Sequence, residues 1–274
     1  MKLFGTEEIN IPVNGGSVPC VTFGKGSRNL VMIPGLRTSS IKGTALFCRL
    51  YYSCFAKNYR VYIIDRKNII PECCTIHDIA EDTFTAAKTL GIKNAYLLGI
   101  SQGGMVAQDI MINHSGFANA AVLAVTLSRT NKTVTAAVNT WVNLIKNNDL
   151  YGFAADYTRR GYSAKYRRKY GKILPLVFRL QKMMPADRFV TLAKACLTCD
   201  TYDRLYEIKC PVLVIGAERD KVVSGKASVE LARKIIHNGG SCRCHMYKNL
   251  SHEAYNEAKD FNRRVLDFFE GINK

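Results

Sequence analysis

A serine flanked by glycines carries the strongest chemical signal in the sequence. Gly99-Ile100-Ser101-Gln102-Gly103-Gly104 follows an apolar run directly and opens a stretch with helical spacing. A nucleophile elbow needs this context, because the sharp strand-to-helix turn lifts the serine off the strand end and leaves no room for side chains two residues to either side. The free amides at the start of the following helix would face a developing oxyanion. The motif therefore predicts that Ser101 is a nucleophile.

A serine hydroxyl is a weak nucleophile at neutral pH, so it needs a base, and the base needs an acid that orients it. Asp220 lies just past the apolar run 211–215, and His252 lies just past a second strand-like run, 243–247. Both positions correspond to loops at the carboxyl edge of a sheet. Glu218 is the alternative acid, although the spacing favours Asp220. The chain order is thus serine, aspartate, histidine.

The elements around these residues alternate between short apolar runs and helical spacing. A capping box, Thr75-Ile76-His77-Asp78, opens a helix that Gly91 ends, and Met105, Val106, Ile110 and Met111 mark one side of the next helix. This alternation predicts an α/β fold, a mostly parallel sheet with helices on both faces. The predicted strands outside the Asp220 and His252 regions are 30–33, 61–64, 95–100 and 120–127.

The sequence pattern changes between residues 129 and 204, where β-branched runs give way to helical spacing. Strand-like runs return at 211–215 and 243–247, and a final helix follows. We therefore predict a core formed by residues 1–128 and 205–274, interrupted by a helical insert, residues 129–204.

Residues 97–108, LLGISQGGMVAQ, resemble the α/β-hydrolase superfamily, especially its small esterase, enol-lactonase and carbon–carbon hydrolase branch. The likeness runs from about residue 29 to the C-terminus and weakens in the insert. It implies that Ser101 is the nucleophile, that Asp220 orients the base, and that His252 acts first as general base and then as general acid. It also implies an oxyanion hole made by the backbone amides of Gln102 and Leu36.

The resemblance has two further implications. Where the family often has His-Gly in the oxyanion loop, this chain has Pro34-Gly35, and since the donor is a backbone amide the hole is retained. The insert would be a cap over the serine, with most of its apolar residues forming the cap core and some lining the substrate pocket. The pocket candidates are Arg37, Trp141, Leu144, Phe153, Tyr157, Leu176, Phe178 and Met183.

Positive charge is concentrated in the insert. The chain has 39 Lys and Arg against 22 Asp and Glu, a net charge of +17, and the insert holds 15 basic and 5 acidic residues. No acid lies between residues 157 and 186, where basic residues alternate with tyrosines. Such a stretch suits an anionic substrate, an anionic membrane or a merely solvated face, whereas nucleic acid is not expected because no known binding module accompanies it.

Other features narrow the function class. No apolar window reaches 18 residues, and Glu7 and Glu8 stand where a signal peptide would be apolar, which predicts a cytoplasmic protein without a membrane span. Ten dispersed cysteines are expected to be reduced, and the pairs Cys196-x-x-Cys199 and Cys242-x-Cys244 lack histidines at ligand spacing. We expect neither metal nor cofactor.

The sequence thus predicts a serine hydrolase that cleaves a small or medium ester, lactone or thioester of a carboxylic acid. The expected partner of the protein is this small-molecule substrate, whose acyl group is either neutral or anionic. Relatives that open epoxides or remove halide use Asp in place of Ser101, and relatives similar to proline iminopeptidase have Trp in place of Gln102. The same residues are also compatible with an acyltransferase, a carbon–carbon hydrolase or a non-catalytic ligand receptor.

Overall fold

A single twisted sheet positions the residues of interest. The structure is a computed structural model, and it describes residues 2–3, 5–176 and 183–272. The strand order is β1-β2-β3-β5-β4-β6-β7-β8-β9, parallel from β5 to β9 and antiparallel from β1 through β3 to β5. The strands are β1 (Lys2–Leu3), β2 (Thr6–Val13), β3 (Gly16–Phe23), β4 (Arg28–Ile33), β5 (Tyr59–Ile64), β6 (Ala95–Ile100), β7 (Ala118–Ala124), β8 (Val212–Ala217) and β9 (Cys242–Tyr247).

Helices cover both faces of this sheet, which confirms the predicted fold class. Helices α2, α3 and α8 pack on one face, and α1 and α10 pack on the other. The helices are α1 (Ala45–Tyr51), α2 (Ile76–Thr89), α3 (Gln102–Asn113), α4 (Lys132–Lys146), α5 (Leu150–Gly161), α6 (Ala164–Tyr170), α7 (Ala186–Ala195), α8 (Gly225–His237), α9 (Ala254–Glu257) and α10 (Phe261–Gly271). Within the described ranges, no helix has the length and hydrophobicity needed to cross a bilayer.

The predicted capping box is present at the start of α2. Thr75 accepts from the Asp78 amide, and the Asp78 carboxylate accepts from the Thr75 amide at 2.8 Å. Strand β7 ends at Ala124, three residues earlier than predicted. The reason is local: Val125 has a φ of 44°, a left-handed conformation that a β-branched residue rarely adopts and that breaks the strand.

The amino-terminal hairpin of β2 and β3 is absent from the sequence-based prediction. Its signal is the alternation of Ile9, Ile11 and Val13 before an Asn14-Gly15 turn, a frequent hairpin dipeptide. Cys20 to Phe23 then pair antiparallel with β5 and extend the sheet.

Between β7 and β8 the chain leaves the sheet and forms helices α4 to α7. The two ends of this segment meet, because Arg129 and Asp200 form an antiparallel bridge and the Thr201 amide donates to Ser128 O at 2.7 Å. These contacts lie beside the proposed boundaries at 129 and 204, which stay a prediction.

Candidate active site

Ser101 sits in a strained turn between β6 and α3. Its φ of 53° and ψ of −118° are unusual for a residue with a side chain. The neighbouring glycines make the turn possible, since a Cβ on Gly103 would overlap the Ile33 carbonyl and one on Gly99 would come within 2.5 Å of Gly103 O. A Cβ on Gly104 would also lie 2.7 Å from Thr126 Cβ, so this glycine allows α3 to pack close to the sheet.

The segment after β7 holds this turn in place from behind. The Ser101 amide donates to Ala124 O at 2.8 Å, and the Thr126 hydroxyl donates to Ser101 O at 2.8 Å. Both polar groups of the Ser101 backbone are therefore fixed by the neighbouring strand end. This arrangement stabilises a conformation that the isolated chain would rarely adopt.

The serine, histidine and aspartate that the sequence analysis singled out form one hydrogen-bonded row. His252 Nε2 lies 2.9 Å from Ser101 Oγ, and His252 Nδ1 lies 2.8 Å from Asp220 Oδ2. The His252 and Asp220 residues are 4% and 7% exposed. In this geometry the aspartate can hold the Nδ1 proton while Nε2 accepts the proton of the serine.

The loop after β8 fixes the aspartate by its second oxygen. Asp220 Oδ1 accepts from the amides of Val222 and Val223 at 2.8 and 3.0 Å, which leaves Oδ2 for His252. Glu218, the alternative acid, is exposed and lines a separate cavity of about 1100 Å³ beside α8 and β9. The structure therefore brings Asp220 to the histidine.

Two carboxylates set the electrostatics of the histidine. Burial alone would lower the pKa of His252, but the charge and hydrogen bond of Asp220, with the charge of Glu253, outweigh it and raise the pKa above the ordinary histidine value. A raised pKa makes the imidazole a stronger base for the serine proton and stabilises the imidazolium that forms.

Glu253 is a buried residue that the sequence analysis did not single out. It is 1% exposed, and its carboxylate accepts from the hydroxyls of Tyr157 and Tyr255 and from the Asn256 side-chain amide. Its backbone amide donates to Gly161 O at 2.8 Å. Since Tyr157 and Gly161 belong to α5, Glu253 joins the insert to the residue next to the histidine. The sequence feature that could have identified Glu253 is its position next to His252.

The loop proposed to carry the second oxyanion donor lies against the serine. A Cβ on Gly35 would be 3.2 Å from Ser101 Cβ, so the backbone of Gly35 lies close to Ser101. Gln102, the first residue of α3, has its backbone amide in the first turn, where no acceptor exists within its own helix. Both proposed donors, Leu36 and Gln102, are thus on segments that adjoin Ser101.

Arg66 connects these two segments and was also missed. This 4% exposed arginine donates from Nη2 to Pro34 O at 2.6 Å and from Nε to Gln102 Oε1 at 3.1 Å. Its Nη1 is buried and has no hydrogen-bond partner among the residues that the structure describes, and burial lowers the pKa of Arg66 from the usual arginine value. The sequence feature that could have identified Arg66 is its position two residues after the end of β5 at Ile64, on the same sheet edge as the serine.

The Gln102 side chain reaches in the opposite direction, into the insert. Its Nε2 donates to Leu192 O at 2.6 Å and contacts Cys196 Sγ at 3.3 Å. The residue after Ser101 therefore contacts α7 and Arg66 with the same side-chain amide group.

Three pocket candidates form an aromatic cluster within the insert. Trp141 and Phe153 are 4% and 2% exposed, and their rings lie 5.4 and 6.0 Å from that of Tyr157. Tyr157 also donates to the carboxylate of Glu253, the residue next to His252. Arg37 follows the oxyanion loop and donates to Ser39 O at 3.2 Å. Phe178 lies outside the described residues.

Among residues 5–176 and 183–272, one group has spacing that would suit a metal ion, His77, Glu81 and Asp109. Its carboxylates already pair with imidazoles, Asp109 with His77 at 3.0 Å and Glu81 with His114 at 2.6 Å. The group lies between α2 and α3, and none of the serine, aspartate and histidine above belongs to it. Cys196 and Cys199 instead contact Gln102 and Leu127 O.

Solved structures with this architecture include several hydrolases. MGS-M2, an α/β-hydrolase enzyme from a Medee basin deep-sea metagenome library, superposes with a TM-score of 0.83 at 21% identity over 96% of this chain and 97% of its own. The enol-lactonase from Burkholderia xenovorans gives 0.81 at 19% identity over 96% and 100%, and an esterase from Exiguobacterium antarcticum gives 0.79 at 15% over 96% and 100%. At such identities the likeness shows the fold.

A comparison with curated protein sequences finds no match. A family model for α/β hydrolases, Hydrolase_4, described as serine aminopeptidase S33, matches residues 74–259, which include Ser101, Asp220 and His252. This match covers more than half of the chain, and its fold is that of the solved hydrolases. The chain therefore belongs to the serine aminopeptidase S33 family of α/β hydrolases.

Proposed function

We propose that this hydrolase cleaves a small or medium carboxylic ester, lactone or thioester through an acyl-enzyme on Ser101. The observation that carries the proposal is the hydrogen-bonded row from Asp220 through His252 to a serine held in a strained turn. A histidine in this position removes the serine proton during attack and returns it to the leaving group.

The proposed reaction has two halves. As Ser101 Oγ attacks the acyl carbon, its proton passes to His252 Nε2, and the negative charge develops on the carbonyl oxygen. The leaving oxygen or sulfur departs with that proton and leaves the acyl group on Ser101. His252 then accepts a proton from water, the hydroxide oxygen attacks the ester carbon, and Ser101 recovers its proton as the acid is released.

The amides of Gln102 and Leu36 would bind the oxygen that becomes negative. Such preorganised donors contribute about 3–4 kcal/mol each in other enzymes. Arg37 next to this loop is a candidate contact for a substrate carboxylate, and Tyr157 is a candidate wall of the leaving-group side. The insert 129–204 would act as the cap over this pocket. The free thiols of all ten cysteines suit a reducing compartment such as the cytoplasm.

An amide substrate with a free amino group is the second candidate, because the family is described as serine aminopeptidase. An ammonium group needs a carboxylate to bind it, and the nearby Glu253 is 1% exposed with its oxygens already accepting hydrogen bonds from two tyrosines and Asn256, so a substrate ammonium would have to displace these donors. Ester chemistry is therefore favoured.

A fluorophosphonate probe followed by a substrate panel tests the proposal. The panel contains p-nitrophenyl esters of increasing chain length, a lactone, a thioester and aminoacyl p-nitroanilides. We expect labelling at Ser101, ester turnover, and loss of both in Ser101→Ala, typically by about four to six orders of magnitude when one member of a cooperating triad is removed. Turnover that persists in this variant contradicts the mechanism. Labelling without turnover would instead favour an acyltransferase, a carbon–carbon hydrolase or a ligand receptor.

A further inference from the structure

A surface with exposed apolar side chains and cations lies on the side of α1 and α6. On α1, Leu46, Phe47 and Leu50 are 44%, 68% and 67% exposed. On the other side, the segment 165–176 combines Lys165, Arg167, Arg168, Lys169 and Lys172 with Ile173 and Leu176, each of these last two 56% exposed. We call these two groups together the basic apolar surface.

The two halves of this surface are attached to one short helix, α9. At the end of α1, Tyr51 donates to Tyr255 O at 2.8 Å and to Asn256 Oδ1 at 3.2 Å. Before α6, the Ser163 amide donates to Glu257 Oε1 at 2.8 Å. Because residues 255–257 are consecutive, the end of α1 and the start of α6 lie side by side.

The cations of α6 differ in their ion pairing from the arginines that precede them. Arg159 and Arg160 pair with Asp156, whereas no ion pair involves a cation of segment 165–172 within the part of the chain that the structure describes. On the α1 side, Lys42 and Arg49 flank the apolar residues, also without ion pairs there. One carboxylate, Glu8, lies at the start of α1, where it accepts from the amides of Gly43 and Ala45. Aliphatic and aromatic side chains among an excess of cations match an interface that offers both anionic groups and hydrocarbon.

The chemistry of the surface distinguishes between partners. A second copy would oppose cations to cations, which disfavours self-association through this face. Nucleic acid is disfavoured because the tyrosine rings of this segment already contact one another: Tyr162 stacks on Tyr166 with centroids 4.7 Å apart, and Tyr170 packs tilted against Tyr166 at 4.6 Å. The exposed apolar residues of α1 are also largely aliphatic. We propose that the basic apolar surface docks on the face of an anionic phospholipid bilayer.

Docking of this kind uses two contributions together. Phe47 and Leu50 insert at the boundary between headgroups and acyl chains, while the cations of α6 remain among the lipid phosphates and carboxylates. Each cation close to an anionic membrane contributes roughly a fivefold change in the partition coefficient. Attachment should therefore be reversible and weaken as salt screens the charges.

Sedimentation with large unilamellar vesicles tests this proposal directly. One set contains only phosphatidylcholine, and the other contains phosphatidylcholine with phosphatidylserine at about 30% of the lipid, near the charge of an anionic leaflet. We expect the full chain to bind the anionic vesicles at low salt, with binding reduced at least tenfold in high salt or on neutral vesicles.

Two variants separate the contributions. Lys165→Glu with Arg168→Glu and Lys169→Glu should weaken binding by about a hundredfold or more, since three favourable charges are lost. Phe47→Ser with Leu50→Ser should weaken it about tenfold or more while leaving its salt dependence in place. All five substituted residues are exposed, and circular dichroism checks that each variant keeps its fold.

A matched control reverses three exposed cations near the starts of strands, at the opposite sheet edge: Lys93→Glu, Lys209→Glu and Arg243→Glu. This variant has the same net charge as the α6 variant and should keep most of its vesicle binding. Equal losses in both charge variants would show that net charge alone attracts the protein and would overturn the proposal. So would equal binding to neutral vesicles, or binding to an oligonucleotide that competes fully with the anionic vesicles.

Discussion

At the scale of single residues, the proposed acid can be tested against its neighbour. Asp220→Asn should lower kcat by about four orders of magnitude, as the equivalent change does in serine proteases, because an amide stabilises the wrong histidine tautomer. Glu218→Gln should have little effect, since this side chain is exposed and lines another cavity. Steady-state kinetics on one p-nitrophenyl ester compares the two. A severe Glu218→Gln and a mild Asp220→Asn would reverse the assignment.

Glu253 gives a second residue-scale prediction, on pH dependence. Its charge helps to raise the pKa of His252, and only the neutral imidazole can accept the serine proton. As the pH is lowered, activity should therefore begin to fall at a pH above the pKa of an ordinary histidine. Glu253→Gln removes a negative charge and should move the acid limb of the kcat/KM profile to lower pH. An unmoved limb would mean that Glu253 only attaches the insert. Tyr157→Phe, which leaves the carboxylate, is the control.

At the scale of elements, Arg66 is predicted to position the proposed oxyanion hole. It holds the loop after β4 and the first residue of α3, so its loss should let the two proposed amide donors drift apart. We expect Arg66→Met to lower kcat about tenfold to hundredfold, less than loss of a donor itself, with KM nearly unchanged.

The control for this prediction is Arg66→Lys, which keeps the charge but cannot span both acceptors. It should share most of the defect. Full activity in the lysine variant would show that charge, rather than the two hydrogen bonds, is what matters. A thermal unfolding measurement separates either result from a loss of stability.

The elements differ in how well the sequence reveals them. Strand β6 matches its prediction residue for residue, because its apolar run is fully buried and ends in the glycine motif. The end of β7 was missed because a single backbone angle at Val125, set by tertiary contacts, overrides the β propensity of the run. Arg66 was missed because its partners Pro34 and Gln102 are 32 and 36 positions away. For Glu253, the contact that joins it to the insert, with Tyr157, spans 96 positions, and the local sequence does not encode such contacts.

At the scale of the whole molecule, the net charge of +17 predicts faster capture of anionic substrates. For a carboxylated ester, kcat/KM should fall as ionic strength approaches about 1 M, where the screening length is about 3 Å. The kcat/KM of an uncharged ester of similar shape should change little, because the electrostatic field of the protein exerts no net long-range attraction on a neutral molecule. Stopped-flow or initial-rate measurements across a salt series compare the two. Equal salt sensitivity for both esters would exclude electrostatic steering.

The Gln102 side chain has a consequence for how this molecule can be rebuilt. Its single amide group contacts α7 on one side and Arg66 on the other, immediately beside the nucleophile. A chimera that receives the cap of another hydrolase would leave this amide facing a foreign surface, and a buried donor without an acceptor costs about 1–3 kcal/mol. The insert of this chain is therefore not expected to be freely interchangeable with that of another hydrolase. Successful exchange should require residue 102 to be transferred together with the helix that it contacts.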